Sequence, residues 1–135
     1  NIIVSSTLHT YWPAVVYPWG ISTEDLETPY TPDYVKLVQT ATQTSHYAYG
    51  NNTQMIYPAD GAFEDYAYWK HGIWSLLFEV SDTHTPDNAD LKAVIEGNVP
   101  GLINMYASAP TTRAPKHDFT GKCDLGLRLM DLHIE

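Results

Sequence analysis

Glu79 closes the apolar run Trp74-Ser75-Leu76-Leu77-Phe78-Glu79. A carboxylate planted in such a run is costly to bury alone, so it usually has a charge partner or a job in proton transfer. Upstream lies an acid- and aromatic-rich segment, Ile56-Tyr57-Pro58-Ala59-Asp60-Gly61-Ala62-Phe63-Glu64-Asp65-Tyr66. His9 follows an apolar run further back. The order histidine, tyrosine, acid, strand glutamate is the pattern to be explained.

The elements that must position these residues are legible from periodicity. Residues 2–8 and 14–17 read as short strands, the second stopped by Pro18-Trp19-Gly20. Thr31-Pro32-Asp33 reads as a helix start with a capping hydroxyl and Pro in the first turn. Tyr34, Val38, Ala41 and Ser45 share one helical face, and Gly50-Asn51-Asn52 closes that predicted helix. Residues 54–60 read as extended or loop, and 64–70 as a short helix ended by Gly72. In the strand predicted over 73–80, Trp74, Leu76, Phe78 and Val80 take one face and Ser75, Leu77 and Glu79 the other. Asp87 or Asn88 caps a further helix, which Gly97 and Pro100 break or kink before 102–109. Cys123, Leu125, Leu127 and Leu129 alternate as in a terminal strand. Strands alternating with helices imply an α/β layered fold.

The 135 residues suit one domain or part of one, and 44% hydrophobic content can fill a core. A formal net charge of −9 argues against nucleic acid and against anionic membranes. Cys123 is the single cysteine, so no intrachain disulfide forms. The sequence opens on Asn1 and an apolar run rather than on Met, which reads as the inside of a domain. A secreted or periplasmic location is slightly favoured over a cytoplasmic one.

Three blocks carry a family resemblance. Thr7-Leu8-His9-Thr10-Tyr11 followed by Val16-Tyr17-Pro18-Trp19-Gly20 is one; Ile56-Tyr57 through Asp65-Tyr66-Ala67-Tyr68 is the second; Phe78-Glu79-Val80-Ser81-Asp82-Thr83 is the third. Together, and in this order, they resemble the C-terminal half of the catalytic domain of carboxypeptidase A/B-type zinc metallocarboxypeptidases. The resemblance implies an α/β fold, a mixed β-sheet flanked by helices, present as a partial domain over residues 1–109, with 110–135 as a C-terminal extension. It implies one zinc ion in the complete domain, with His9 as its third protein ligand. Neutral imidazole suits zinc, and a strand end lets it project into a cleft. Glu79 takes the place of the general base, Tyr57 that of the tyrosine closing over substrate, and Tyr11 lines a neighbouring subsite. Glu64 falls where the family places a specificity residue, and a carboxylate there favours a C-terminal Lys or Arg. The partner implied is a peptide or protein C-terminus.

Each residue has a plainer reading. His9 can be an ordinary strand-end histidine, Glu79 a paired structural acid, Tyr11 a packing residue, and Glu64 a first-turn acid favoured by the helix dipole. The family also needs a His-x-x-Glu pair, and no histidine here has Glu three residues later. His84-Thr85-Pro86-Asp87 is the nearest imitation and reads as a helix-cap region. The resemblance therefore implies a peptidase fragment that needs the missing N-terminal half of the domain. A non-catalytic peptide-binding module on the same scaffold is the alternative. Sugar binding through the four tryptophans is a weaker third, since core packing accounts for them.

Overall fold

The last of the described strands in sequence is central in space. A computed structural model describes residues 1–24 and 26–115. It contains β1 (Val4–His9), β2 (Ala14–Tyr17), α1 (Thr31–Ala41), β3 (Ala48–Asn51), α2 (Asn52–Met55), α3 (Phe63–His71), β4 (Trp74–Glu79) and α4 (Asn88–Ser108). The sheet order is β1-β4-β2-β3. β4 runs parallel to β1 and antiparallel to β2, and β2 runs parallel to β3. The fold is thus α/β, with a mixed sheet flanked by helices.

The alternation of β4 explains its place. Trp74, Leu76 and Phe78 enter the core with Tyr34, Leu37 and Val38 of α1, while Leu77 and Glu79 face the opposite way. The core is dominated by rings: Tyr34 stacks on Tyr17 at 5.4 Å and meets Tyr68 and Trp74 edge-on at 5.2 Å each. Edge-on and offset contacts of this kind suit the quadrupoles of aromatic rings.

Several local expectations are corrected. The first helix stops at Ala41, and Ser45 lies beyond it, because Ala48–Asn51 form β3 against β2. Thr31 does not cap that helix with its hydroxyl. Its Oγ1 turns back to the Thr28 carbonyl at 3.0 Å, and Tyr30 is the N-cap. Residues 52–55 form a single helical turn, α2, capped by the Asn51 side chain. Asp87 caps α4 as expected, but Pro100 neither ends nor divides that helix. The buried side chains of Asn98 and Met105 hold both halves of α4 on the fold, and this packing outweighs the lost hydrogen bond. The alternating residues 123–129 lie outside the described residues.

α1 and α4 meet where a Cβ at Gly101 would overlap the Ala41 carbonyl oxygen. Alanine gains about 1 kcal/mol over glycine in helix propensity. Overpacking against backbone costs about 1–3 kcal/mol. Gly101→Ala is therefore expected to lower the urea midpoint, and Gly101→Val to lower it further. An unchanged midpoint for both would show that the helices do not touch there.

Candidate active site

His9 and Glu79 are neighbours because β1 and β4 pair in register, which makes these two residues ladder partners. The Val80 N–H donates to the His9 carbonyl at 3.0 Å and keeps the two strand ends level. His9 is exposed and Glu79 half-buried. Oε2 of Glu79 is buried without a hydrogen-bond partner among the described residues. Desolvation raises the Glu79 pKa, and the nearby imidazoles of His9 and His84 pull part of that rise back.

Glu64 approaches from α3. It lies in the first turn of that helix, is completely buried, and neither carboxylate oxygen has a hydrogen-bond partner among the described residues. Burial raises its pKa. The dipole of its own backbone N–H, close by but not hydrogen-bonded to it, and the His9 imidazole oppose the rise, and Glu79 adds to it. The helix dipole favours an acid in this turn, but it does not supply the hydrogen bonds the carboxylate lacks.

His9, Glu64, Glu79 and Tyr57 line one cavity of about 230 Å³, with Asn52, Leu77 and the 56–63 segment completing its walls. Tyr57 is exposed at its mouth. Tyr11 does not line the cavity. Its ring packs on His84 at 4.2 Å, and the Thr10 hydroxyl donates to the His84 carbonyl at 3.0 Å. The Trp12 N–H donates to the Ser81 carbonyl at 2.9 Å, so the loops after β1 and β4 are stitched together beside the cavity.

Asp65, next to Glu64, fastens α3 to the turn that follows β2. The Gly20 N–H donates to both Asp65 carboxylate oxygens, at 3.2 and 2.9 Å. Gly20 must lack a side chain, because a Cβ there would collide with the Asn52 amide. Burial pushes the Asp65 pKa up to about 7 despite the Gly20 hydrogen bond, which lowers it. A carboxyl raised on folding destabilises the native state where it is ionised, so stability is fullest below the ordinary value of 3.8 and declines as pH rises toward 7. Once ionised, a carboxyl lifted that far opposes folding by about 4 kcal/mol. Urea unfolding free energies are expected to fall across that window, and Asp65→Asn to flatten the slope. An equal slope in the variant would assign it to other groups.

These blocks now have relatives. Residues 1–101 match the model of the zinc carboxypeptidase family. The chain belongs to that family. Carboxypeptidase B of Astacus astacus is 33% identical over 90 residues, which cover 62% of this chain and 29% of the relative. The chain thus spans less than a third of that protein's length. In this zinc carboxypeptidase chain, no group of three or more His, Cys, Asp or Glu among the described residues could hold a metal ion. No helix among them is long and apolar enough to cross a membrane.

Two residues in or beside this cavity are not singled out by the sequence. Asn52 reaches the cavity from the first turn of α2, and nothing in Asn51-Asn52-Thr53 distinguishes it from a turn residue. His84, read only as part of a helix cap, comes close enough to Glu79 to bias its charge. Its approach depends on the folded loop, which no periodicity reports.

Proposed function

We propose that this chain forms the substrate-binding and general-base part of a zinc carboxypeptidase that removes C-terminal Lys or Arg. The observation carrying this reading is Glu64, fully buried with both oxygens unpartnered among the described residues, in one cavity with His9 and Glu79. An unpaired buried carboxylate is a standing cost, and a bound ammonium or guanidinium removes it. Glu79, with its raised pKa, takes a proton from the attacking water and returns it to the departing amine. Tyr57, exposed at the mouth, closes over the bound C-terminus. Tyr11, with His84 packed on it, borders the next residue of the peptide. The B-type name of the Astacus astacus relative accords with a basic specificity.

A catalytic zinc ion takes three protein ligands and keeps one open position. The described residues do not by themselves fit it, since His9 stands without two further ligands. His9 contributes one ligand, and the other two come from polypeptide outside this chain. The same incompleteness favours a second reading, a peptide-binding module without turnover. Both are tested on the completed protein with peptides ending in Lys or Leu. Preferential release of Lys supports the peptidase. Tight binding of the Lys peptide without release supports the module, and indifference between the two peptides defeats both.

A further inference from the structure

Two buried polar side chains share the cavity. Glu64 is 0% exposed, and neither of its carboxylate oxygens has a hydrogen-bond partner among the described residues. Asn52, from the single turn of α2, is 4% exposed and lines the same space. Gly20 fixes how Asn52 sits. A Cβ there would collide with Nδ2, so that prong of the amide lies against Gly20 and the carbonyl prong is turned away from it. Gly20 is held in its turn, because its N–H is committed to Asp65, the neighbour of Glu64 in α3. The carboxylate and the amide are thus braced through the same glycine. Entry lies past residues 56–63, where Tyr57 is exposed and a Cβ at Gly61 would meet nothing within 4 Å.

We infer that this cavity separates the two basic side chains and takes arginine in preference to lysine, with Asn52 acting beside Glu64 as a specificity residue. The inference rests on the reading of Glu64 as the acid that meets a basic C-terminal residue. Lysine and arginine are alike in length and charge, so the shape of the charged head must separate them. A guanidinium presents two parallel N–H groups at the spacing of a carboxylate, and it covers both Glu64 oxygens at once. Further N–H groups of the same fork remain for the Asn52 carbonyl oxygen. An ammonium instead spreads three N–H bonds around a single atom. It meets one carboxylate oxygen well and leaves the other buried acceptor bare, which is worth about tenfold in affinity. The ammonium is also the more strongly hydrated head. Ile56, Ala62 and Leu77 in the cavity walls have apolar side chains that cannot replace the water it gives up.

Propylguanidinium and butylammonium carry the two heads without a peptide's carboxylate, so the full chain can be titrated with each in a calorimeter at mildly alkaline pH. Propylguanidinium is expected to bind about tenfold or more tightly. Asn52→Ala is expected to lower that ratio by about threefold or more. Both probes are compared within one variant, so a general loosening of the cavity cancels. Glu64→Gln is expected to lose both probes. Equal or tighter binding of butylammonium by the unaltered chain would overturn the inference and leave the basic specificity standing. A ratio unmoved in Asn52→Ala, with circular dichroism retained, would also overturn it, because a merely structural asparagine would leave the ratio alone. Binding of neither probe, or binding that survives Glu64→Gln, would overturn it together with the reading of Glu64 as the specificity acid.

Discussion

Glu79→Gln is expected to reduce kcat of the completed domain by about 10²–10⁴-fold, the usual contribution of a positioned general base. β4 sets the geometry. Its alternation turns Glu79 away from the Trp74-Leu76-Phe78 core face and toward the cavity, and the ladder sets it beside His9. Desolvation lifts its pKa toward working pH, which makes it a stronger base than an ordinary solvated carboxylate. The amide of Gln keeps the size and an acceptor oxygen but cannot accept the proton. KM is therefore expected to change little, because in the proposed reading Glu64, not Glu79, grips the substrate side chain. A rise in KM with kcat intact would make Glu79 a binding residue and end its assignment as base.

Glu64→Gln carries the second large effect, in two separable measurements. Breaking a buried charge pair on one side costs about 2–5 kcal/mol, roughly 30- to 5000-fold in kcat/KM for peptides ending in Lys or Arg. Peptides ending in Leu should gain or hold steady. In the absence of substrate the same change is expected to stabilise the protein. The Glu64 pKa is raised on folding, so its ionised form opposes the native state, and that opposition grows as pH climbs above the ordinary carboxylate range. The gain from Gln should appear at neutral pH and fade as pH falls through that range. A variant that retains the preference for basic residues would remove Glu64 from the specificity role, whatever its stability.

Much of this site is legible in the sequence because it is built from short contiguous blocks. His9 and Glu79 each end a strand, and the alternation along 74–80 tells which face Glu79 takes. Glu64 is visible as an acid, but its burial is not. The first turn of a helix is usually wet, and only the packing of α3 against β4 makes Glu64 inaccessible. Ala48-Tyr49-Gly50-Asn51 lacks the β-branched run of a strand, and it becomes β3 because β2 offers a parallel edge. Thr31 misleads because its hydroxyl has two uses, and the turn at Thr28 claims it. Pro100 shows the converse, a strong local breaker overruled by the buried contacts of α4.

The position of β4 between β1 and β2 also orders events in time. β2 and β3 meet across a modest span of chain, but among the described residues β1 has no ladder partner until Trp74–Glu79 has left the ribosome. Among the described residues, every sheet contact of the strand bearing His9 therefore closes a loop of about seventy residues, the separation between Ser5 and Ser75 in the ladder. Loops of that size slow folding, so β1 should be the last strand to gain protection in refolding, after β2 and β3. A nascent chain stopped before β4 would hold half of the cavity's histidine–glutamate pair with nothing to fasten it. The two ends of the candidate site are thus assembled in one late step, and a ribosome that falls off early releases a chain in which His9 and Glu79 never meet.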